Sequence, residues 1–183
     1  MQIEFVTAPK IEEVEGAVAV IAYESALSGA GRDFDSAMGG AVARAIEGGR
    51  FKAGKGQSLD IIAPAGLAAQ RLLVLGAGPK DAFDLDAAET VAAQAYAAVK
   101  TSGAEALTLF LSDDAPAAAA RAAFAIRLAA YRFDRYRTTE PADKKPSINA
   151  VRIVTSNPDG AASALVPLAA VADGVIFARD LVS

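Results

Sequence analysis

The sequence predicts an α/β domain of three layers, with a mixed and largely parallel sheet flanked by helices. Two observations predict it. After an opening pair of strands, apolar runs of strand length alternate with segments of helical periodicity, the order that joins parallel strands through helices. The strand candidates are also nearly uninterrupted apolar runs, as expected for strands covered on both faces. At 183 residues the chain has room for one domain with an appended segment.

The elements follow in order. Ile3 to Val6 reads as a short strand, and Ala17 to Ala22 as a buried one. Ser28 to Gly31 is a loop. Phe34, Met38, Val42 and Ile46 stand at helical spacing, so a single helix is expected there, stopped by Gly48-Gly49. Gly39-Gly40 inside it suggests close packing against a neighbour. Leu59 to Ala63 and Leu72 to Leu75 read as strands, with Pro64-Ala65-Gly66 as the turn signal between them.

A helix is expected from about Asp86 to Lys100, with Asp86 and Glu89 at capping-box spacing and Gly103 at its end. Ala106 to Leu111 is the next strand. Asp113-Asp114 precedes a helix over Pro116 to Ala130, with Phe124, Leu128 and Tyr131 as its large apolar face. Thr138 to Ser147 reads as an exposed loop, Val151 to Val154 as the last strand and Asn157 to Gly160 as a turn. The final helix carries Leu165, Leu168, Ala172, Val175 and Ile176 on one stripe, its regular part expected to start near Pro167. The charge-free run Gly160 to Ala172 is too short to span a bilayer, which argues against a membrane partner.

Composition narrows the chemistry. With 53% hydrophobic and 22% charged residues the chain reads as soluble and globular. There is no cysteine and no histidine, which removes disulfides, thiolate nucleophiles, Ser-His catalysis and imidazole metal ligands. A net charge of −4 disfavours a nucleic-acid partner. Met1 to Phe5 shows no signal-peptide pattern, so a cytoplasmic location is expected.

Several segments imitate functional motifs. Gly49 to Gly56 matches the phosphate-loop spelling in seven of its eight positions, but Gly56 replaces the hydroxyl residue. A helix precedes it and a strand follows, the reverse of what a phosphate loop requires, so it reads as a glycine-rich connection. Gly76-Ala77-Gly78 follows a buried strand, but Asp81 stands where a dinucleotide fingerprint needs its third glycine. The expectation is a glycine turn. Tyr131 to Arg137 interleaves aromatic and basic residues, a pattern either of base stacking or of a helix end with solvated arginines. The carboxylate pairs Glu12/Glu13, Asp84/Asp86 and Asp113/Asp114 sit at helix starts or in loops, where capping explains them. Ser25 and Ser28 have no histidine partner.

Three segments, in chain order, resemble the amino-terminal domain of the leucyl (cytosol) aminopeptidase family. They are Arg71 to Gly78, Tyr131 to Arg137 and the ending Ala178-Arg179-Asp180-Leu181-Val182-Ser183. The resemblance implies a macro-domain-like fold over residues 1–160, with 161–183 as a linking helix towards a catalytic domain absent from this chain. It implies parent enzymes that are cytoplasmic hexamers and remove amino-terminal residues from peptides with two divalent metals, zinc or manganese, held in that second domain. Gly54 to Asp60 echoes the family's metal-binding stretch, but Leu59, Ile61 and Ile62 depart from it, so no metal role passes to Lys55 or Asp60. The expectation is therefore a chain with no catalytic, cofactor-binding or metal-binding residues of its own, supporting hexamer assembly and access to the active site. The alternative is a stand-alone macro-like module that binds ADP-ribose or a nucleotide, with Gly76 to Pro79 as its phosphate loop.

Overall fold

The computed structural model describes residues 1–24, 26–111, 115–133, 141 and 144–182. Gln2–Val6 forms strand β1, Ala17–Tyr23 forms β2 and Ala26–Leu27 forms the short β3, which pairs with the end of β2. Helices α1 (Gly29–Ala37) and α2 (Ala41–Gly48) lead to strands β4 (Ser58–Ile62) and β5 (Arg71–Gly76). Then come helix α3 (Leu85–Val99), β6 (Ala106–Phe110), α4 (Pro116–Ala129), β7 (Ala150–Val154) and α5 (Pro158–Val182).

The seven strands make one mixed sheet in the order β1-β7-β6-β2-β5-β4, with β3 alongside β2. The β1–β7, β7–β6, β6–β2 and β2–β5 pairings are parallel, and β4–β5 is antiparallel. Central position explains the uniform apolar run of β2: all seven of its residues are buried, since both sheet faces are covered there. Edge strand β4 instead alternates exposed and half-buried residues, as a strand with one wet face must.

Each face of the sheet builds its own core. Ala17, Ala19, Ile21, Leu107 and Leu109 pack against α3 and α4 on one side. Val18, Val20, Leu72 and Val74 pack against Phe34 of α1 and Val42 of α2 on the other. Helix α4 approaches the sheet and α3 through alanine: Ala118, Ala119, Ala122 and Ala123 are all buried. Small side chains let backbones pack closely. Phe124 and Leu128, expected to form its apolar face, are only half-buried and line an outer groove with Arg179 of α5.

Two expected boundaries move. The ladder from Phe34 to Ile46 is broken into α1 and α2 by Gly39 and Gly40, both at positive φ (63° and 79°), which glycine alone adopts without strain. The carboxylate of Asp35 then caps the second helix, accepting from the amides of Val42 (2.7 Å) and Ala43 (3.2 Å). The last helix begins at Pro158 and not near Pro167. Asn157 is its cap, accepting from the Gly160 amide at 2.9 Å, and Pro158 takes the first helical position. Pro167 sits inside the helix on an exposed face, where water can serve the carbonyl that it leaves without an amide.

Candidate functional site

The segment Gly49 to Gly56 lies between α2 and β4, so its context is the reverse of a phosphate loop. Two of its amides are already committed. The Gln57 side-chain oxygen accepts from the amides of Lys52 (2.8 Å) and Gly54 (3.1 Å). Gln94 of α3 donates to the carbonyl of Gly56 at 3.1 Å. The segment is a crossing tied to α3. Asp60 pairs with Arg71 across the sheet edge at 3.4 Å. Lys55 has no carboxylate within 4 Å among the described residues. Lys55 and Asp60 are thus not paired with each other, and among the described residues no group of three or more Asp, Glu, His or Cys could hold a metal ion.

Gly76-Ala77-Gly78 leaves β5 beneath that crossing. Its amides donate to the carbonyls of Gln57 (2.9 Å), Ala22 (2.9 Å) and Ala53 (2.9 Å) in turn. None of the three is left for a phosphate. Ala53 holds a left-handed conformation at φ 56° and is buried, so the crossing stores backbone strain to bring these loops together. A cavity of about 190 Å³ opens beside it, lined by Lys55, Gly76, Asp84, Asp86, Thr90 and Gln94.

The carboxylate pairs serve the fold where they are described. Asp84 caps α3, accepting from the Ala87 amide at 2.8 Å, two residues earlier than the spacing of Asp86 and Glu89 suggests. Asp86 and Glu89 both pair with Arg121 of α4, at 2.9 and 2.8 Å. Glu13 pairs with Lys10. Ser28 is buried and caps α1 through the Gly31 amide. Ser25 and Asp113/Asp114 lie outside the described residues, as does Tyr131 to Arg137 beyond Phe133.

Tyr131 anchors the last helix. Its hydroxyl donates to Asp180 at 2.7 Å, and the Arg179 guanidinium lies 5.5 Å from its ring centroid, within cation–π reach. Arg127, four residues before Tyr131, pairs with Asp173, seven residues before Asp180. The inward stripe of α5 is the expected one, with Ala161 and Ala172 fully buried against the domain.

The opposite face of α5 is the feature that sequence reading missed. Val166, Val171, Phe177, Leu181 and Val182 are all exposed, Phe177 by 65% and Leu181 by 69%. These residues, interleaved with the inward stripe, make the helix apolar on both sides. The helix has 25 residues, and by length and composition alone it could cross a membrane, which the shorter run Gly160 to Ala172 had not suggested. An apolar surface of this kind on a folded domain marks a contact still to be made.

Comparison with known proteins assigns the domain. Residues 17–140 match the amino-terminal domain of the cytosol aminopeptidase family. A probable cytosol aminopeptidase of Caulobacter vibrioides is 52% identical over 184 residues, covering 100% of this chain and 37% of that protein. The chain thus spans little more than a third of the length of that relative. In shape, a mutant of tomato leucine aminopeptidase superposes with a TM-score of 0.80 at 20% identity, covering 100% of this chain and 38% of that one. The bottromycin maturation enzyme BotP, in complex with Mn, gives a TM-score of 0.65 at 25% identity over 92% of this chain and 32% of that one.

Proposed function

This chain belongs to the cytosol aminopeptidase family as its amino-terminal domain, and from that premise we propose that it is the non-catalytic part of a two-metal enzyme that removes amino-terminal residues from peptides. We assign residues 1–160 to a macro-domain-like unit and 161–183, which include most of α5, to the segment that leads to the catalytic portion. The metals, zinc or manganese, belong to that other portion. Among the described residues no group of three or more carboxylates could hold a metal, and Asp60, Asp84, Asp86 and Glu89 are engaged in ion pairs and a helix cap. The manganese in the BotP structure is consistent with metal dependence in the wider family. Relatives named as cytosol aminopeptidases support a cytoplasmic location.

The observation that carries the proposal is the outer face of α5. A domain that ended its contacts there would leave Phe177, Leu181 and Val182 in water. Burying such side chains stabilises by roughly 1.5–3 kcal/mol each. The catalytic portion of the same polypeptide is the surface that covers them, and through it the domain contributes to hexamer assembly and to access to the active site. The second reading, a stand-alone module for ADP-ribose, finds no free amide in Gly76 to Gly78 to cradle a phosphate.

The test mixes this chain with the separately expressed remainder of the Caulobacter vibrioides relative. The expected result is a stable complex on size-exclusion chromatography, lost in a Phe177→Asp, Leu181→Asp variant that keeps the helical content of the parent chain. No complex, or one indifferent to both substitutions, would reject the role given to α5.

A further inference from the structure

The cavity of about 190 Å³ beside the glycine-rich crossing holds two opposite charges that do not meet. It lies at the carboxyl end of β5 and the first turns of α3, the side of an α/β sheet where ligands collect. Lys55 lines it from the crossing and Asp84 from the cap of α3. The Lys55 ammonium forms no ion pair or hydrogen bond among the described residues. Its stem is packed down on the loop after β5, where a methyl group on Gly78 would lie 2.9 Å from its Cγ. Asp84 gives one carboxylate oxygen to the Ala87 amide, and the other has no partner among the described residues.

The rest of the lining suits a small ligand with an apolar part. Gln94 donates through its side-chain nitrogen to the Gly56 carbonyl, which leaves its side-chain oxygen as a second acceptor. Ala77, Ala87 and Val91 supply an apolar wall. Asp86 also borders the cavity, but Arg121 holds its carboxylate. A simple anion would meet repulsion from Asp84, and a simple cation from Lys55. A ligand that carries both charges close together satisfies both. The volume lies below the roughly 300–1,000 Å³ of drug-sized sites, which favours a single small molecule over a nucleotide.

We infer that this cavity binds a free α-amino acid with an apolar side chain, of the leucine class. The carboxylate accepts from Lys55, the ammonium donates to Asp84 and to the Gln94 side-chain oxygen, and the side chain rests on Ala77, Ala87 and Val91. Such a molecule is also the product class of the peptide hydrolysis proposed above. That link rests on that reading, whereas the charges of the cavity stand without it.

Calorimetric titration of the 183-residue chain with L-leucine tests this, with leucinamide, N-acetyl-leucine and inorganic phosphate as parallel arms. Leucinamide lacks the carboxylate for Lys55, and N-acetyl-leucine lacks the ammonium for Asp84. The expected result is saturable leucine binding with a Kd at or below about 1 mM, and binding at least about tenfold weaker in each other arm. Lys55→Gln should weaken leucine about tenfold and remove the preference for leucine over leucinamide, with circular dichroism confirming the fold. The inference is overturned by an absence of saturable leucine binding, by leucinamide or phosphate binding as tightly as leucine, or by affinity unchanged in Lys55→Gln. Failure of leucine to bind leaves the complex formed through α5 untouched, and failure of that complex leaves the leucine titration readable.

Discussion

A methyl group on Gly76 would lie 2.3 Å from the carbonyl oxygen of Gly54. The end of β5 and the glycine-rich crossing thus meet backbone to backbone, with no room for a side chain between them. Gly76→Ala should push the crossing outward, break the hydrogen bonds donated by the Gly76 and Gly78 amides, and destabilise the fold by about 2–4 kcal/mol. Urea denaturation followed by circular dichroism checks this. A loss below about 0.5 kcal/mol would show that the crossing yields freely.

Thr108 on β6 offers the opposite case. It is 1% exposed, its hydroxyl has no partner among the described residues, and its sheet neighbours are Val18 and Arg152. Valine has the same outline without the orphaned hydroxyl. Thr108→Val should therefore raise stability by about 1 kcal/mol. A comparable loss on the same urea curve would mean that a water or an unseen donor serves that oxygen.

Burial raises the pKa of Tyr96, which sets an alkaline limit. A group whose folded pKa exceeds its unfolded value binds more protons in the native state at high pH, so stability falls as pH rises. The Tyr96 contribution is complete below about pH 10, the ordinary tyrosine value, and is lost as pH climbs through the folded pKa. Melting temperatures measured from pH 8 to pH 11.5 should fall less steeply at the alkaline end in Tyr96→Phe than in the parent chain. Parallel curves would assign the alkaline loss to other groups.

Much of this fold was legible in the sequence. The unbroken runs of β2 and β5 announced strands covered on both faces, and the inward stripe of α5 was visible in its spacing. The split between α1 and α2 was not, because apolar residues continue at helical spacing across Gly39-Gly40 and hide the turn. Asn157-Pro158 was ambiguous for a physical reason: a cap followed by proline looks the same whether it opens a helix or makes a turn. Periodicity also cannot say whether an apolar position faces a core or an absent partner, so the outer face of α5 stayed hidden. The Lys55 cavity draws on the glycine-rich crossing, on the end of β5 and on α3, which only the tertiary fold brings together.

We propose that the chain carries a surface for a catalytic partner and no catalytic set of its own. Hydrolysis of leucyl-p-nitroanilide by the purified 183-residue chain, with added Mn²⁺ or Zn²⁺, tests it most directly. The account predicts release no faster than in buffer with the same metal. Metal-dependent turnover that co-purifies with the chain and is lost on substitution of its own Lys55 or Asp60 would contradict it.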